Sequence, residues 1–298
     1  QSTGIIKSEL KELIIDQNKI ADLIVKWEAY FDWDFGGMAS APKFMMPNNY
    51  HFLMRFAHQK QDKKLLDFVN LTLTKMAYGG LFDTVDGGFS RYSVDMKWHV
   101  PHFEKMLYDN GQLVSLYSDA YKCTKNPLYK EVTQKTLAFV EREWMIPEGG
   151  FYCALDADSL NLENHLEEGA FYVWKTPELK TIIGADFELF SQVFNINSFG
   201  LWEEGNYVLI QTISLEQIAQ SNKIALSELE TKKKNWEQIL FVEREKRSKP
   251  RLDDKSLTSW NAIMLKGFVD AYTALNDKKC LEIALQNGQF IIDTLWSS

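Results

Sequence analysis

Residues 79–110 hold the densest group of side chains that could carry chemistry. Carboxylates, an arginine and aromatic rings share a glycine-rich loop, and a histidine and a lysine follow after Pro101. In a sugar pocket, aromatic rings stack on the pyranose while charged groups bind its hydroxyls, so this composition favours a carbohydrate site. We predict that Asp83 and Asp86 act as general acid or base and that His102 is a proton shuttle. The predicted ligand-binding residues of the stretch are Arg91, Tyr92, Asp95, Trp98, Glu104, Lys105 and Tyr108.

Within this group, Arg91 and Lys105 are expected to orient the substrate or offset carboxylate charge, and Tyr92 and Trp98 to form the stacking platform. A helix predicted over 101–121 places His102, Lys105 and Asp109 on one face and Glu104 with Tyr108 on the next. Buried polar groups must pair, most simply Lys105 with Asp109 and Arg91 with a loop aspartate. An ion-pair network that merely pins the loop onto a helix end is an equally good interpretation.

Two smaller polar clusters lie further along the chain. Asp156, a predicted substrate-binding residue, and Asp158 precede Glu167 and Glu168. Asp158 could be the second carboxylate of a pair, because glycosyl transfer needs two carboxyl groups about 5–9.5 Å apart. The cluster lacks the remaining ligands of a calcium loop, so no metal site is predicted. The second cluster contains the substrate-binding candidates Asp254 and Lys255 at the start of a helix, where capping by Asp254 or Ser256 is the alternative.

Several classes of function are disfavoured. The chain has 298 residues and a net charge of −8 without a long basic block, which argues against nucleic-acid binding. No nucleophile elbow, Walker loop, dinucleotide fingerprint or HExxH motif occurs, so no cofactor is predicted. No apolar run reaches the ~20 residues of a membrane span. Three scattered cysteines without a CxxC pair suit a reducing compartment, and we expect a cytoplasmic location.

The elements that must position these residues are mostly helical. Apolar side chains recur at three- and four-residue steps over 5–31 (with a bend near 16–18), after Pro47, and over 63–78, 101–121, 128–145, 224–245, 257–274 and 279–296. Between 148 and 223 the pattern predicts a β-containing insertion: a hairpin of 149–155 with 169–174, a third strand at 207–210, and short helices at 177–183 and 186–193. Gly-Gly pairs at 36–37, 79–80 and 149–150 suggest a repeated helical hairpin.

The motifs together resemble the thioredoxin-domain-containing family that includes spermatogenesis-associated protein 20. The matching segments, in order, are Gly36-Gly37, Ala41-Pro42-Lys43-Phe44, Gly87 to Asp95, Val100 to Asn110, Gly150-Phe151-Tyr152, Asp156 to Ser159, Glu168 to Trp174, Asp253-Asp254-Lys255 and Trp260-Asn261. Where the family usually has Asp-Asn-Ala, this chain has Gly111, at a cost of about 1 kcal/mol inside a helix.

This resemblance implies a fold class: mainly α, a partial six-hairpin (α/α)6 toroid similar to glycosidases and N-acylglucosamine 2-epimerases, with a small β insertion. By the same resemblance, 1–298 is a single toroid domain truncated at its C-terminus, and a thioredoxin-like domain of the parent chain is its partner. Loops 81–100, 151–174 and 251–256 would gather at one mouth of the ring.

Two functions remain open at this point. The first is binding or processing of a carbohydrate or polyol, with hydrolase or epimerase chemistry. The alternative is a non-catalytic scaffold that binds a partner or works with the thioredoxin-like domain. The two differ in whether Asp83, Asp86, His102 and Asp158 face an open pocket or are satisfied in closed pairs.

Overall fold

The computed structural model describes residues 17–161 and 163–296. Helices dominate this part of the chain: α1 Gln17–Glu28, α2 Pro47–Lys60, α3 Lys63–Tyr78, α4 Leu107–Thr124, α5 Pro127–Glu143, α6 Thr176–Ile183, α7 Phe187–Phe194, α8 Leu215–Asn222, α9 Leu226–Arg244, α10 Thr258–Leu275 and α11 Lys278–Phe290. The strands are short: β1 Lys43–Phe44, β2 Ser90–Ser93, β3 Pro101–Met106, β4 Ala154–Leu155, β5 Asp158–Leu160, β6 Leu166–Glu168, β7 Trp174–Lys175, β8 Asn206–Tyr207 and β9 Leu252–Asp253. No helix of the described part is long and apolar enough to cross a bilayer.

Three helical hairpins, α2/α3, α4/α5 and α10/α11, are closed by the same two-residue turn. Its first residue has a left-handed backbone, with φ between 54° and 57°, which ends the preceding helix. Its second residue is Asp or Asn, and the side-chain oxygen accepts a backbone N–H of the next helix. The three turns are Gln61-Asp62, Lys125-Asn126 and Asn276-Asp277. The repeat predicted from the sequence is therefore present as a repeated hairpin.

The hairpins stand side by side as a two-layered arc. Helix α4 packs between α2 and α10, and the second helix of each hairpin packs against the first. Gly111 of α4 lies at the crossing with α10, where an added Cβ would come within 3.0 Å of the Met264 backbone. The glycine thus permits close helix packing, which offsets its cost within the helix. This arrangement confirms a mainly α fold that is built from helical hairpins and carries small sheets.

A five-stranded antiparallel sheet, in the order β1-β2-β3-β4-β9, lies at one end of the arc. Strands β1, β3 and β9 each lead into the first helix of a hairpin, so the sheet sits at the N-terminal ends of α2, α4 and α10. The loops predicted to gather at one mouth contribute β2, β4 and β9 to this sheet.

Two of the predicted elements are wrong. The helix expected from Pro101 begins only at Leu107, because Pro101–Met106 is a strand whose residues alternate between buried and partly exposed. Likewise, 149–155 and 169–174 do not form one hairpin. The hairpin is β5 with β6, while Trp174 pairs with Tyr207 in a separate two-stranded sheet. The third strand is shorter than predicted and covers Asn206–Tyr207.

The other predicted helices match observed ones within a few residues, except that the last one ends at Phe290 and that residues 5–16 of the first one lie outside the described residues. Helix α8 was not predicted. Helices α6 to α9 share an apolar cluster of their own that runs from Trp174 to Leu240. This packing continues beyond residue 223, the predicted end of the insertion. The single domain over 1–298 stays a prediction.

Candidate functional site

Asp83 lies beneath the sheet in a closed network of ion pairs. Arg244, distant in sequence, donates from Nη1 and Nη2 to the two carboxylate oxygens at 3.0 and 2.8 Å. Lys105, 1% exposed, donates to Asp83 Oδ2 at 2.9 Å and to the carbonyl of Gly87 at 2.8 Å. Burial alone would raise the pKa of Asp83, but Arg244 and Lys105 outweigh it and hold that pKa well below its ordinary value. A carboxylate held ionised in this way is a poor proton donor.

A second buried lysine–aspartate pair of the same kind, without an arginine, holds the loop that precedes β1. Lys43, fully buried, donates to Asp32 Oδ2 at 2.7 Å and to the carbonyl of Gly36 at 2.8 Å. Both loops carry the sequence pattern Phe-Asp-x-x-x-Gly-Gly, at 31–37 and 82–88. In both loops a lysine bridges an aspartate and a glycine carbonyl. This recurrence indicates that the lysine stabilises the loop conformation. The predicted pairing of Lys105 with Asp109 is wrong.

Asp86 belongs to the same buried network. Its side chain is 5% exposed, forms an ion pair with Arg142 and lies 3.7 Å from Arg244. The cavity next to Asp83 and Arg244 has a volume of about 30 Å³, which is room for water and not for a sugar. The sequence predicted that Asp83, Asp86 and Lys105 contact a sugar. In the structure each of these side chains is at most 10% exposed and is paired with an oppositely charged group.

Two further predicted ligand residues have structural surroundings. Trp98 is fully buried and donates from Nε1 to the carbonyl of Phe35 at 2.9 Å, so the prediction that it forms an exposed stacking platform is wrong. Asp95 accepts the backbone N–H groups of Lys97, His99 and Val100 and shapes the turn between β2 and β3.

The other face of the sheet carries polar residues that reach solvent. Because β3 is a strand, His102 and Glu104 share this face, and Lys105 points to the opposite, buried one. Tyr92 stacks on the His102 ring with centroids 5.0 Å apart, and Arg91 pairs with Glu104 at 3.2 Å. The predicted pairing of Arg91 with a loop aspartate is wrong. Four predicted site residues are thus brought together on one surface.

A cleft of about 320 Å³ opens beside this surface, between the start of α2 and the first turn of α4. Its lining residues are Phe44, Met45, Met46, Pro47, Asn48, Asn49, Arg91, Tyr108, Asp109 and Gln112. Neither helix has a side-chain cap at this end. The cleft thus combines aromatic, cationic and acidic groups with helix N-termini.

Asp109 is the titratable group of this cleft with the largest change in pKa. It is 9% exposed, and Oδ2 has no hydrogen-bond partner among the described residues. Burial raises its pKa to about 7, against the opposing effect of Arg91 and a hydrogen bond with Tyr108. Such a carboxyl exists in both protonation states near neutral pH, as a general acid or base requires.

Sequence reasoning missed Asp109 as a site residue because it paired it with Lys105 on a helix face. The strand ends at Met106 and the helix begins at Leu107, a boundary that the sequence hides because the buried strand position 105 is a lysine. Asp109 then falls in the first turn of a helix beside the cleft.

The remaining candidates do not line the cleft. Asp156 and Asp158 are exposed, and Asp158 pairs in register with Glu168 across the β5–β6 hairpin. Asp254 and Lys255 are exposed next to β9, where Lys255 pairs with Asp253 at 3.0 Å. Their roles in ligand binding stay predictions. Among the described residues, no group of three or more His, Cys, Asp or Glu side chains could hold a metal ion.

Comparison with known proteins gives one negative finding and four similarities. No family model matches the chain. Human spermatogenesis-associated protein 20 is 35% identical over 285 residues, which cover 88% of this chain and 36% of that protein. The uncharacterized protein B0495.5 of Caenorhabditis elegans is 34% identical over 288 residues, which cover 89% of this chain and 39% of that protein.

Among solved structures, a sugar epimerase from a ruminal bacterium is 14% identical with a TM-score of 0.41, covering 91% of this chain and 84% of its own. A family 76 glycoside hydrolase from a bovine Bacteroides thetaiotaomicron strain is 12% identical with a TM-score of 0.43, covering 92% and 54%. The chain is therefore similar to spermatogenesis-associated protein 20 over most of its own length, and it spans little more than a third of the curated relatives it matches.

Proposed function

We propose that this domain binds a carbohydrate or similar polyol in the cleft at the start of α4 and processes it by acid–base chemistry. Asp109 serves as the proton donor or acceptor. Arg91 and Tyr108 bind hydroxyl groups of the ligand, and the rings of Phe44 and Tyr92 offer apolar surface to its sugar face. Hydrolysis and epimerisation are the two reaction classes that this arrangement suits.

The observation that carries the proposal is the state of the Asp109 carboxyl. Asp109 Oδ2 is buried without a partner, and such an oxygen costs about 1–3 kcal/mol of stability. A protein keeps such a group most readily where a ligand or a proton supplies the missing partner. Its cleft is ten times the volume of the cavity beside Asp83 and is lined by Phe44, whose side chain is 46% exposed. Exposed aromatic surface beside hydrogen-bonding groups suits a ligand with both an apolar face and hydroxyls.

The scaffold alternative is also supported by one observation. Three of the predicted site residues, Asp83, Asp86 and Lys105, are satisfied in closed pairs. A protein that uses such motifs only to hold its shape needs no ligand, and it could work with a thioredoxin-like domain of a longer chain. We propose a cytoplasmic location for the domain in either case.

A thermal-shift screen tests the proposal. The melting temperature of the wild type is measured with glucose, mannose, N-acetylglucosamine, cellobiose or sorbitol. The same measurements are made on the variants Asp109→Asn and Arg91→Met. Ligand at 100 times its dissociation constant stabilises the fold by about 2.7 kcal/mol, a readily measured shift. Asp156→Asn is the matched control, since it removes an exposed carboxylate outside the cleft.

We expect at least one sugar to stabilise the wild type and the control but neither cleft variant. Stabilisation that persists unchanged in both cleft variants would place the ligand elsewhere. No stabilisation by any sugar of the panel would favour the scaffold.

A further inference from the structure

We propose that Glu168 is a positioning residue that fixes the tautomer of His102, so that Nε2 of His102 is the proton-accepting atom at the mouth. The inference rests on the proposed function, since it supplies the partner that Asp109 needs for proton transfer on a ligand. It also gives the β5–β6 hairpin, which carries Glu168, a part in the site.

The direction of one hydrogen bond carries the argument. His102 Nδ1 lies 2.8 Å from Oε1 of Glu168. An ionised carboxylate can only accept, so in the neutral imidazole the proton must reside on Nδ1. The lone pair then resides on Nε2, for which no hydrogen bond is found among the described residues. A histidine oriented by a carboxylate in this way is the general-base half of many catalytic sites.

The ring is held on its face as well as at its edge. Tyr92 stacks on it with an interplanar angle of 18°, and Phe44, which lines the cleft, packs on Tyr92 with centroids 5.0 Å apart. Together these contacts leave the His102 side chain 32% exposed. The ring is thus accessible to solute yet restricted in rotation, and a continuous row of aromatic contacts joins it to the cleft that contains Asp109.

Glu168 is itself held by the backbone on both sides. It pairs with Asp158 in the hairpin, and the next residue, Gly169, donates its N–H to the carbonyl of Ala157 at 3.1 Å. Gly169 has φ of 74°, and an added Cβ would come within 2.5 Å of the Phe103 ring. This close approach to a β3 residue anchors the hairpin next to His102 on the same strand.

His102 differs in this respect from His99 and His51, while Nδ1 of His165 lies 3.8 Å from Glu163 on a side chain that is 75% exposed. His99 is buried and directs Nε2 at the carbonyl of Gly200 at 3.1 Å. His51 directs its Nε2 toward Asp119 at 3.1 Å. In both, Nε2 faces a protein group, whereas in His102 it is Nδ1 that does so.

The test measures the tautomer directly, without any ligand. Long-range ¹H–¹⁵N spectra of the ¹⁵N-labelled chain at pH 8 distinguish protonated from unprotonated ring nitrogens, and His102→Asn assigns the signals by their loss. We expect a protonated Nδ1 and an unprotonated Nε2 for His102 in the wild type. Glu168→Ala should lose this single tautomer, and Glu168→Gln should retain it, because its amide oxygen still accepts.

Glu167→Ala is the matched control. Glu167 is adjacent in the same strand, and its Oε2 accepts from Asn161, so removing it should leave the His102 signals unchanged. A protonated Nε2 in the wild type, or an unchanged tautomer in Glu168→Ala, would overturn the inference. Because no sugar is present, this result is independent of the ligand screen: a failed screen with the expected tautomer would count against the proposed function alone.

Discussion

The pH dependence of stability in Asp109→Asn is the sharpest prediction of this structure. Burial raises the pKa of Asp109 from 3.8 to about 7 in the folded chain. Between these values the native state binds a proton that the unfolded state has released. The free energy of unfolding contributed by this group is therefore largest below pH 4 and is lost as the pH rises through 7.

The size of the effect follows from the shift. A shift of this size corresponds to about 4 kcal/mol in total, of which about 2–3 kcal/mol is lost between pH 5 and pH 8. Asn has the same shape and does not titrate. The difference in unfolding free energy, wild type minus Asp109→Asn, should thus fall by about 2–3 kcal/mol over this range.

Urea unfolding at half-unit pH intervals measures this difference, and the contributions of other titrating groups cancel in it. Asp156→Asn serves as the control, since it removes an exposed carboxylate that lies outside the cleft. A wild-type minus Asp109→Asn difference that stays constant from pH 5 to pH 8 would refute the assignment of a raised pKa to Asp109. The acid–base proposal would then lose its basis.

Four further substitutions test the roles of buried side chains. Arg244→Met should destabilise the chain by about 3–5 kcal/mol in urea unfolding, because it leaves a buried carboxylate undercompensated; a loss below 1 kcal/mol would contradict the closed network. Asn110→Ala and Asn261→Ala should each cost about 1–3 kcal/mol of stability. Both side-chain amides hydrogen-bond the backbone N–H and C=O of the residue that follows a Gly-Gly pair. A large loss in one variant alone would argue against equivalent roles. Trp98→Ala should lose about 3–5 kcal/mol of stability while the folded fraction still binds sugar; lost binding at unchanged stability would restore the stacking platform.

The sequence predicted most helices well and failed to predict β3, the strand directly before α4. Helical periodicity and local caps act within one turn, so α3 was predicted at its observed bounds. Strand β3 was missed because its buried position 105 is a lysine, which makes an alternating strand look polar on both faces. The burial of that lysine depends on Asp83, and no local pattern reports such a contact.

The candidate site divides in the same way. Residue types and spacing identified Arg91, Tyr92, His102, Glu104 and Tyr108, which share one surface or its adjoining cleft. They could not show which carboxylates are closed off, because the decisive partner of Asp83 is 161 residues away in sequence. Long-range pairing of this kind is set by the packing of α9 against the sheet loops.

Mapping of sugar binding by ¹H–¹⁵N spectra tests the central claim most directly. The sugar panel is titrated into the ¹⁵N-labelled chain, with Asp109→Asn titrated in parallel. The proposed function predicts saturable shifts at the amides of Arg91, Tyr108 and Asp109, with weaker or absent shifts in the variant. Saturable shifts centred on another surface, or no shift with any sugar at millimolar concentration, would contradict it.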